Sequence, residues 1–331
     1  MKVLMLSLDK GLLGNKTQGG DVIRRHKVYG EFCDELNIIV PCKAGYVEQS
    51  LLNNVKVWPT NSKFKFLFIW DAVKLAKEIY ARSVFDLVVA QDVLALAGGK
   101  IKKDLGVKLI LNNHGDLVDN KKNKDWEGAK WFNKFLAKNF LKIAKQADAV
   151  RVVSGGIKNK LVRRGINKDK ISVINTPIDL SKFLVFDQAE VLALRQKFRG
   201  KNILFVGRLE AEKNLMWLLE IFNDIIKKYQ NVNLILVGEG SMKEELQKKA
   251  DELGVSDKVK FIGTVAYEKL TNYYHASDIF ILPSTSESFG KVLVEAGAAG
   301  VPCVASETTG AREIIQDGET GFLVLINNKK R

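Results

Sequence analysis

Short, unbroken runs of Val, Ile and Leu recur along the whole chain and alternate with longer amphipathic segments. An unbroken apolar run indicates a strand that is covered on both faces, and such strands occur in parallel sheets connected by helices. The sequence therefore predicts an α/β protein built on parallel sheets. The predicted strands are Lys2–Leu8, Asn37–Val40, Val55–Trp58, Asp86–Ala90, Lys108–Asn112, Ala149–Val153, Ile171–Ile174, Asn202–Gly207, Asn233–Gly238, Val259–Gly263, Asp278–Pro283, Pro302–Ser306 and Gly321–Leu325.

The predicted strands form two successive series, separated by a polar stretch with a short helix at Asp187–Phe198. A chain of 331 residues, 46% of them apolar, is long enough to build two cores. We expect two doubly wound, Rossmann-like domains over residues 1–180 and 201–331, joined by a linker over 181–200 and facing each other across a cleft. Ligands bind at the carboxyl ends of the strands in such sheets, so both walls of the cleft are candidate sites.

Composition excludes several other classes of protein. The 3 Cys residues stand at no metal-ligand spacing and fit a reducing compartment. No apolar run approaches the roughly 18–20 residues that cross a bilayer. Asp9 and Lys10 end the apolar start of the chain too early for a signal peptide. The apolar fraction excludes intrinsic disorder. From the cysteines and from the absence of a signal peptide or a membrane span in the sequence, we expect a cytoplasmic protein.

The net positive charge of the chain belongs entirely to its first half. Residues 1–180 contain 32 Lys and Arg against 18 Asp and Glu, a net charge of +14, whereas residues 181–331 contain 20 of each kind. A one-sided excess suits an anionic partner that meets only the first half. The alternative interpretation is a solvated, Lys-rich surface that aids solubility.

The sharpest local motif is PSTSESFGKVLVEAG at residues 283–297. A strand ends at its proline, a polar turn follows, and a helix begins near Phe289. Backbone N–H groups at such a helix start, here those of Phe289, Gly290 and Lys291, favour a phosphate or a sugar hydroxyl. By themselves, the two Glu residues of the motif are explained equally well as a charge at a helix start and a surface residue.

This motif, followed by AGAAGVPCVA, resembles the retaining family 4 glycosyltransferases of the GT-B fold. Further segments match that family in the same order along the chain, so that the resemblance covers about residues 19–324. These segments are Gly19-Gly20 before a helix, Asn113-His114-Gly115 at a strand end, Val152-Val153-Ser154, Asn175–Asp179, Val206–Leu209 with Lys213-Asn214, Val237–Gly240, Phe261–Gly263 and Asp317–Val324.

The resemblance implies a hexosyltransferase that moves a hexose-type sugar from a nucleotide-diphosphate sugar to a glycan or lipid-linked acceptor. It implies that Arg208 and Lys213, with Gly207 beside them, face the diphosphate. This leaving group gains negative charge as the glycosidic bond breaks and needs fixed cations. Gly19 and Gly20 would close over the phosphates from the first domain.

The resemblance also implies which residues hold the rest of the donor. Glu295 would bind the nucleotide ribose, Glu287 the hydroxyls of the transferred sugar, and the strand end around Val265 the nucleobase. His114 would contact the donor sugar near the reacting carbon, a structural His being the alternative. Two routes to retention stay open: nucleophilic attack by Glu287, or same-face attack in which the leaving phosphate accepts the proton of the acceptor.

Two absences narrow the chemistry. The sequence contains no Asp-x-Asp, the motif that bridges a metal to the pyrophosphate in the other large glycosyltransferase fold. We therefore expect metal-independent transfer without a cofactor, with cationic side chains in place of the metal. The only Gly-x-Gly that resembles a dinucleotide-binding motif is Gly238-Glu-Gly240, and Lys243 stands where the third glycine belongs. An NAD-dependent oxidoreductase is therefore disfavoured.

The basic first half also carries aromatic residues. Lys63 and Lys65 alternate with them in KFKFLFIW, while Lys130, Lys134 and Lys138 share one face of a predicted helix whose other face is aromatic. We hypothesise that this half attaches peripherally to the anionic inner face of the cytoplasmic membrane, as in synthesis of a cell-envelope polysaccharide or glycolipid. In the ordinary interpretation, the aromatic face packs on the sheet and the lysines lie in water.

Two alternatives from other classes remain. A basic half with aromatic residues would also suit RNA, although no RNA-binding motif is present. A catalytically silent scaffold on the same fold is the second alternative, and the intact Arg208, Lys213, Glu287 and Glu295 argue against it. Relatives usually continue past the GFLV segment with further helices, so the resemblance predicts either a truncated chain or a cleft closed by fewer contacts.

Overall fold

The computed structural model describes residues 1–14, 20–115 and 130–326. The described residues form two compact units that divide between Ile174 and Asn175. Each unit contains one sheet flanked by helices, as the alternating pattern of the sequence predicts. None of the helices in the described part of the chain is long and apolar enough to cross a lipid bilayer.

The first unit is built on an eight-stranded sheet in the order β3-β4-β2-β1-β5-β6-β7-β8. Its strands are β1 (Lys2–Leu6), β2 (Glu35–Val40), β3 (Gln49–Leu52), β4 (Val55–Pro59), β5 (Leu87–Gln91), β6 (Lys108–Asn113), β7 (Ala149–Val152) and β8 (Ile171–Val173). Its helices are α1 (Gly20–Glu31), α2 (Phe68–Arg82), α3 (Ala95–Leu105), α4 (Lys130–Gln146) and α5 (Gly155–Arg163). All neighbouring strands are parallel except β3, which pairs antiparallel with β4 at the edge.

The second unit is built on a six-stranded parallel sheet in the order β11-β10-β9-β12-β13-β14. Its strands are β9 (Lys201–Val206), β10 (Val232–Val237), β11 (Val259–Gly263), β12 (Ile279–Leu282), β13 (Cys303–Ser306) and β14 (Gly321–Val324). Its helices are α6 (Ser181–Leu184), α7 (Gln188–Lys197), α8 (Leu215–Lys228), α9 (Lys243–Glu252), α10 (Leu270–His275), α11 (Lys291–Ala298) and α12 (Ala311–Ile314).

Each sheet reverses its strand order at one place. In the first unit the chain runs from β1 outward to β2 and β4 and then returns to β5 on the other side of β1. In the second unit it runs from β9 to β10 and β11 and returns to β12 on the other side of β9. The loops that leave such a pair of strands diverge and open a crevice at the carboxyl edge of the sheet. These two crevices are where ligand-binding residues are expected.

The segment 181–200, predicted to be a linker, is instead part of the second unit. Its two helices, α6 and α7, place Phe183, Val191 and Leu194 in the apolar core of that unit. Asp187 caps α7, and its backbone N–H donates to Asn272 Oδ1 across to α10. The linker prediction was wrong because a few apolar side chains in a mostly polar stretch are enough to anchor two short helices.

Candidate active site

Lys213 and Glu287 meet in the crevice of the second unit, where β9 and β12 end. Lys213 closes a short 3₁₀ helix after β9, and Glu287 lies in the loop that follows β12. The Lys213 ammonium donates to Glu287 Oε1, and both side chains are largely buried, with about 16% and 15% of their surface exposed. Ser284 Oγ donates to the same carboxylate oxygen at 3.1 Å. The structure thus brings together two residues that the sequence motifs predict for the donor site.

Backbone hydrogen bonds fix the loop that carries Glu287. The Thr285 N–H donates to the Glu212 carbonyl at 2.8 Å and ties this loop to the one that follows β9. The Gly310 N–H donates to the Glu287 carbonyl, also at 2.8 Å. A Cβ at Gly310 would lie only 2.4 Å from the Phe289 carbonyl oxygen, so only glycine permits this approach.

Arg208 contacts a different partner from Lys213. It follows Gly207 at the end of β9, and its guanidinium lies 2.6 Å from Glu212 Oε1. The Arg208 side chain is 72% exposed, whereas that of Glu212 is largely covered. Both predicted cations therefore lie on one loop, but each is held by its own carboxylate.

Helix α11 begins at Lys291, two residues later than the sequence indicates. Gly290 precedes it in the left-handed region with φ of +88°, which favours glycine, and Phe289 belongs to the preceding turn. The N–H groups of the first helical turn point out of the helix start, in the direction that suits an anion. Since the Glu287 loop runs into this helix, the helix start and the Lys213–Glu287 pair belong to one crevice.

Glu295 is buried, with only 2% of its surface exposed, and is not the surface residue that the motif alone allowed. Tyr274 Oη donates to its Oε2 at 2.9 Å, and Tyr267 Oη to its Oε1 at 3.4 Å. Lys291 Nζ lies 3.6 Å from the same carboxylate and 4.6 Å from the Tyr267 ring centre. Burial raises the pKa of Glu295, while the Lys291 charge and the two hydroxyls oppose that rise.

Val265 follows β11 and packs, partly buried, against the apolar core of the second unit. Its predicted contact with a nucleobase stays a prediction. No group of three or more His, Cys, Asp and Glu side chains converges as a metal site would among residues 1–14, 20–115 and 130–326.

A second polar cluster lies in the crevice of the first unit, centred on His114 at the end of β6. His114 Nε2 lies 2.6 Å from the Arg151 Nη1 on β7, and His114 Nδ1 lies 2.7 Å from the Gln91 side-chain amide nitrogen at the end of β5. Burial, and next the Arg151 charge, lower the pKa of His114 to about 4. His114 is therefore a neutral imidazole at pH 7.

Asp92 organises the turn that carries His114. Its Oδ1 accepts from the His114 N–H at 2.8 Å, from Asn113 Nδ2 at 3.1 Å and from the Gly115 N–H at 3.3 Å. Burial raises the pKa of Asp92, and these donors oppose the rise. Its backbone has φ of +46°, an uncommon conformation for a residue other than glycine.

Sequence reasoning missed Gln91, Asp92 and Arg151. One signal was present: Arg151 is a charged residue inside the apolar β7 strand, next to β6, which His114 directly follows. Asp92, directly after β5, occupies the strand-end position at which ligand-binding residues of such sheets occur.

The predicted lysines of the membrane or acceptor face are exposed where the structure describes them. Lys63 and Lys65 are exposed, as is Lys138 on α4. Lys130 and Lys134 lie on the same helix, and their side chains are outside the described residues. Among the donor-site glycines, Gly20 begins α1 and Gly19 lies outside the described residues.

The fold, with a Rossmann-like sheet in each unit and polar residues at its crevice, is that of the GT-B glycosyltransferases, as predicted. Solved structures support this class at the level of fold. The chain is 21% identical to Anabaena Alr3699/HepE in complex with UDP and glucose, with a TM-score of 0.75 over 100% of this chain and 87% of that chain. It is 19% identical to sucrose-phosphate synthase from Thermosynechococcus elongatus, with a TM-score of 0.83 over 99% and 86%.

Two family models match consecutive parts of the chain: Glycosyltransferase Family 4 over residues 34–182 and Glycosyl transferases group 1 over residues 193–331. Both models describe glycosyltransferases, and together they span most of the chain. The chain therefore belongs to the family 4 glycosyltransferases. It is 33% identical over 182 residues to an uncharacterized glycosyltransferase, MJ1607, of Methanocaldococcus jannaschii, covering 50% of this chain and 46% of the relative. It is 32% identical over 196 residues to the alpha-monoglucosyldiacylglycerol synthase of Streptococcus pneumoniae, covering 57% and 44%. The chain thus aligns with less than half the length of these curated relatives.

Proposed function

We propose that this protein transfers a hexose-type sugar, with retention of anomeric configuration, from a nucleotide-diphosphate sugar that binds in the crevice of the second unit. The observation that carries the proposal is the Lys213–Glu287 pair at the point where the strand order reverses, beside the start of α11. The Lys213 ammonium suits the diphosphate, and the Glu287 carboxylate suits the sugar hydroxyls. The start of α11 suits the negative charge that builds up on the leaving diphosphate. A solved GT-B structure with UDP and glucose agrees with a donor of this kind.

In this proposal the transfer needs no metal. Arg208 and Lys213 would neutralise the diphosphate as the bond between the sugar and the phosphate breaks, and the N–H groups at the start of α11 would add to that stabilisation. Two cations placed by one loop are sufficient to face a diphosphate from one side. The absence of an Asp-x-Asp in the sequence agrees with this assignment.

We assign Glu287 to binding the sugar hydroxyls rather than to nucleophilic attack. Its Oε1 already accepts from both Lys213 and Ser284, and hydrogen bonds of this kind stabilise a carboxylate and weaken it as a nucleophile. The leaving phosphate would then accept the proton of the acceptor hydroxyl on the same face of the sugar. A trapped glycosyl–Glu287 ester in mass spectrometry of a slow-donor reaction would contradict this assignment.

The identity of the donor is tested by binding. Uridine, guanosine and adenosine diphosphates are compared by thermal shift, because a ligand that binds only the folded state raises the melting temperature. We expect a rise with one of the three, abolished in Lys213→Ala and kept in Lys227→Ala, which alters an exposed lysine on α8. Stabilisation by NAD or by RNA instead of a nucleoside diphosphate would favour the rival classes.

A second part of the proposal concerns the acceptor. Phe64, Phe66 and Trp70 are 47%, 73% and 64% exposed, and Lys63 and Lys65 lie among them. The rings of Phe64 and Phe66 stack at 5.4 Å. Large exposed aromatics next to lysines favour the interface of an anionic bilayer, where the rings enter the headgroup layer. A lipid-linked acceptor would then lie at the carboxyl edge of the first sheet, where this segment leads into α2.

Vesicle sedimentation tests this part separately from the donor chemistry. The chain should sediment with vesicles that contain anionic lipid and less with neutral ones, and Phe66→Ser with Trp70→Ser should weaken that binding at least about tenfold. Val84→Ser, another exposed apolar residue, serves as the control. Equal binding of wild type to anionic and neutral vesicles, or an unaffected double variant, would contradict the membrane assignment.

A further inference from the structure

The chemistry of the two groups that flank His114 decides which protonation state it adopts. An Arg guanidinium has donors only, so His114 Nε2 at 2.6 Å from Arg151 must accept. The proton of the neutral ring then belongs on Nδ1, which faces the Gln91 amide at 2.7 Å and Asp92 Oδ2 at 3.8 Å. To accept from Nδ1, the Gln91 amide must turn its oxygen inward and give up the bonds that it accepts from the Leu8 N–H and from Ser7 Oγ. An imidazolium would direct an N–H against Arg151 and is excluded.

Arg151 is itself held in place by two further acceptors. Its Nη1 donates to Asn112 Oδ1 at 2.8 Å, and its Nε donates to the Ile174 carbonyl at 2.7 Å. These partners come from β6 and from the residue that follows β8, so three adjacent strands fix the guanidinium. A guanidinium fixed in this way directs the second N–H of Nη1 toward His114.

The other charged groups around His114 do not take the place of the hydrogen bond from Arg151. Asp9 and Arg25, from the segment after β1 and from α1, face the ring and pair with each other at 3.2 Å. Asp92, from the turn after β5, uses Oδ1 for three N–H donors and leaves Oδ2 at 3.8 Å from the ring. Among the described residues, Arg151 is thus the cation in hydrogen-bond contact with the imidazole.

We propose that Arg151 is a positioning residue for His114. Arg151 holds the His114 imidazole as a neutral hydrogen-bonding group with its proton on Nδ1. This goes beyond the donor assignment of the second unit. It rests on the proposed function only for the identity of the group that His114 contacts, the transferred sugar. In that arrangement Arg151 and Gln91 occupy both ring nitrogens, so His114 presents a fixed, uncharged ring to the sugar and does not act as a general acid at pH 7. Arg151, a single residue on β7, would therefore determine the protonation state and the orientation of the His114 ring that faces the substrate.

The test is an NMR titration of the full chain without substrate, which is simple because the chain contains only 3 His. His114→Gln identifies the His114 signal. We expect a pKa of about 4 in the wild type and a rise of about one unit or more in Arg151→Gln, since a nearby cation is removed while burial stays. Arg151→Lys, which keeps the charge, should fall between the two. Arg82→Gln, a change of an exposed arginine at the end of α2, should leave the titration unchanged.

Two outcomes would overturn the proposal: a wild-type His114 pKa near the ordinary value of about 6.5, or an unchanged pKa in folded Arg151→Gln. If Arg151→Gln does not fold by circular dichroism, Asn112→Ala replaces it, because it removes one of the two other acceptors that hold the guanidinium and keeps the charge. An unchanged His114 pKa in Asn112→Ala would then overturn the proposal. Once the donor is known, kcat/KM can be measured as the pH is lowered. It should begin to fall at a higher pH in Arg151→Gln than in the wild type.

The titration needs no activity, so the two proposals fail separately. A shifted pKa without sugar transfer would contradict the function and keep the role of Arg151. Sugar transfer with an unshifted pKa would do the reverse.

Discussion

Lys213 and Glu287 are 74 residues apart in the chain and form a hydrogen-bonded ion pair in the second unit. The pair exists because β9 and β12 are neighbours in the sheet, although β10 and β11 separate them in sequence. Each residue lies in the segment that follows one of these strands, and the bond from the Thr285 N–H to the Glu212 carbonyl ties the two segments together. The sheet topology thus converts two short sequence motifs into one site.

The coupling within this pair is open to a double-mutant cycle. Lys213→Met and Glu287→Gln should each destabilise the protein by about 1–3 kcal/mol, because each leaves a largely buried charge without its partner. The double variant should be more stable than the sum of the single changes allows. Denaturant unfolding measures all four proteins, and strictly additive losses would show that the pair is not coupled in solution.

Arg208 is shared between Glu212 and, in our proposal, the donor diphosphate. Glu212→Gln should lower the donor KM by about two- to tenfold because the guanidinium no longer has a competing carboxylate. The loss of stability should be less than about 1 kcal/mol, because the Arg208 side of the pair is largely exposed. Steady-state kinetics with a saturating acceptor measures the change. Glu252→Gln on α9 is the matched control, and an unchanged KM in Glu212→Gln would show that Arg208 does not bind the donor.

Tyr274 supports the buried carboxylate of Glu295. Tyr274→Phe should reduce the free energy of unfolding by about 1–2 kcal/mol, since a buried carboxylate loses a hydrogen bond while ring packing is kept. It should also raise the pKa of Glu295 further. Tyr229→Phe, at an exposed position, is the control. Equal stability of both variants would show that the hydroxyl contributes nothing to holding Glu295.

The low pKa of His114 makes stability depend on pH. Above pH of about 6.5 His114 is neutral in both states, so it has no effect. As the pH falls from there to about 4, the unfolded chain takes up a proton that the folded protein does not, and stability decreases. Burial lowers the pKa of His26 as well, so both contribute in the same direction. The loss over this range should be smaller in His114→Gln, and an identical pH profile would contradict the prediction.

The unbroken apolar runs predicted both sheets because strands that are covered on both faces need such runs. They missed β3, since Gln49–Leu52 is short, alternates in exposure and lies at the edge of the sheet. On α8 the buried residues Leu215, Leu218, Leu219 and Phe222 follow the three- and four-residue spacing of one helix face.

The candidate site was only partly accessible from sequence. Motifs located Lys213 and Glu287, but their contact depends on strand order, which no local pattern reveals. The hydrogen bonds that hold the buried Glu295 come from Tyr267 and Tyr274, about 20 to 30 residues earlier in the chain. Arg151 and Asp92 act through hydrogen bonds to a strand end that is adjacent only in the folded sheet.

Sugar transfer from labelled uridine-, guanosine- and adenosine-diphosphate hexoses, by wild type and by Glu287→Gln, tests the central claim most directly. We predict that the wild type transfers the hexose of one nucleotide with retention of configuration. Glu287→Gln should bind the same nucleoside diphosphate equally well and transfer at least about 100-fold more slowly. A wild type that neither binds nor consumes any of these donors, or a Glu287→Gln protein that transfers at the wild-type rate, would contradict the account.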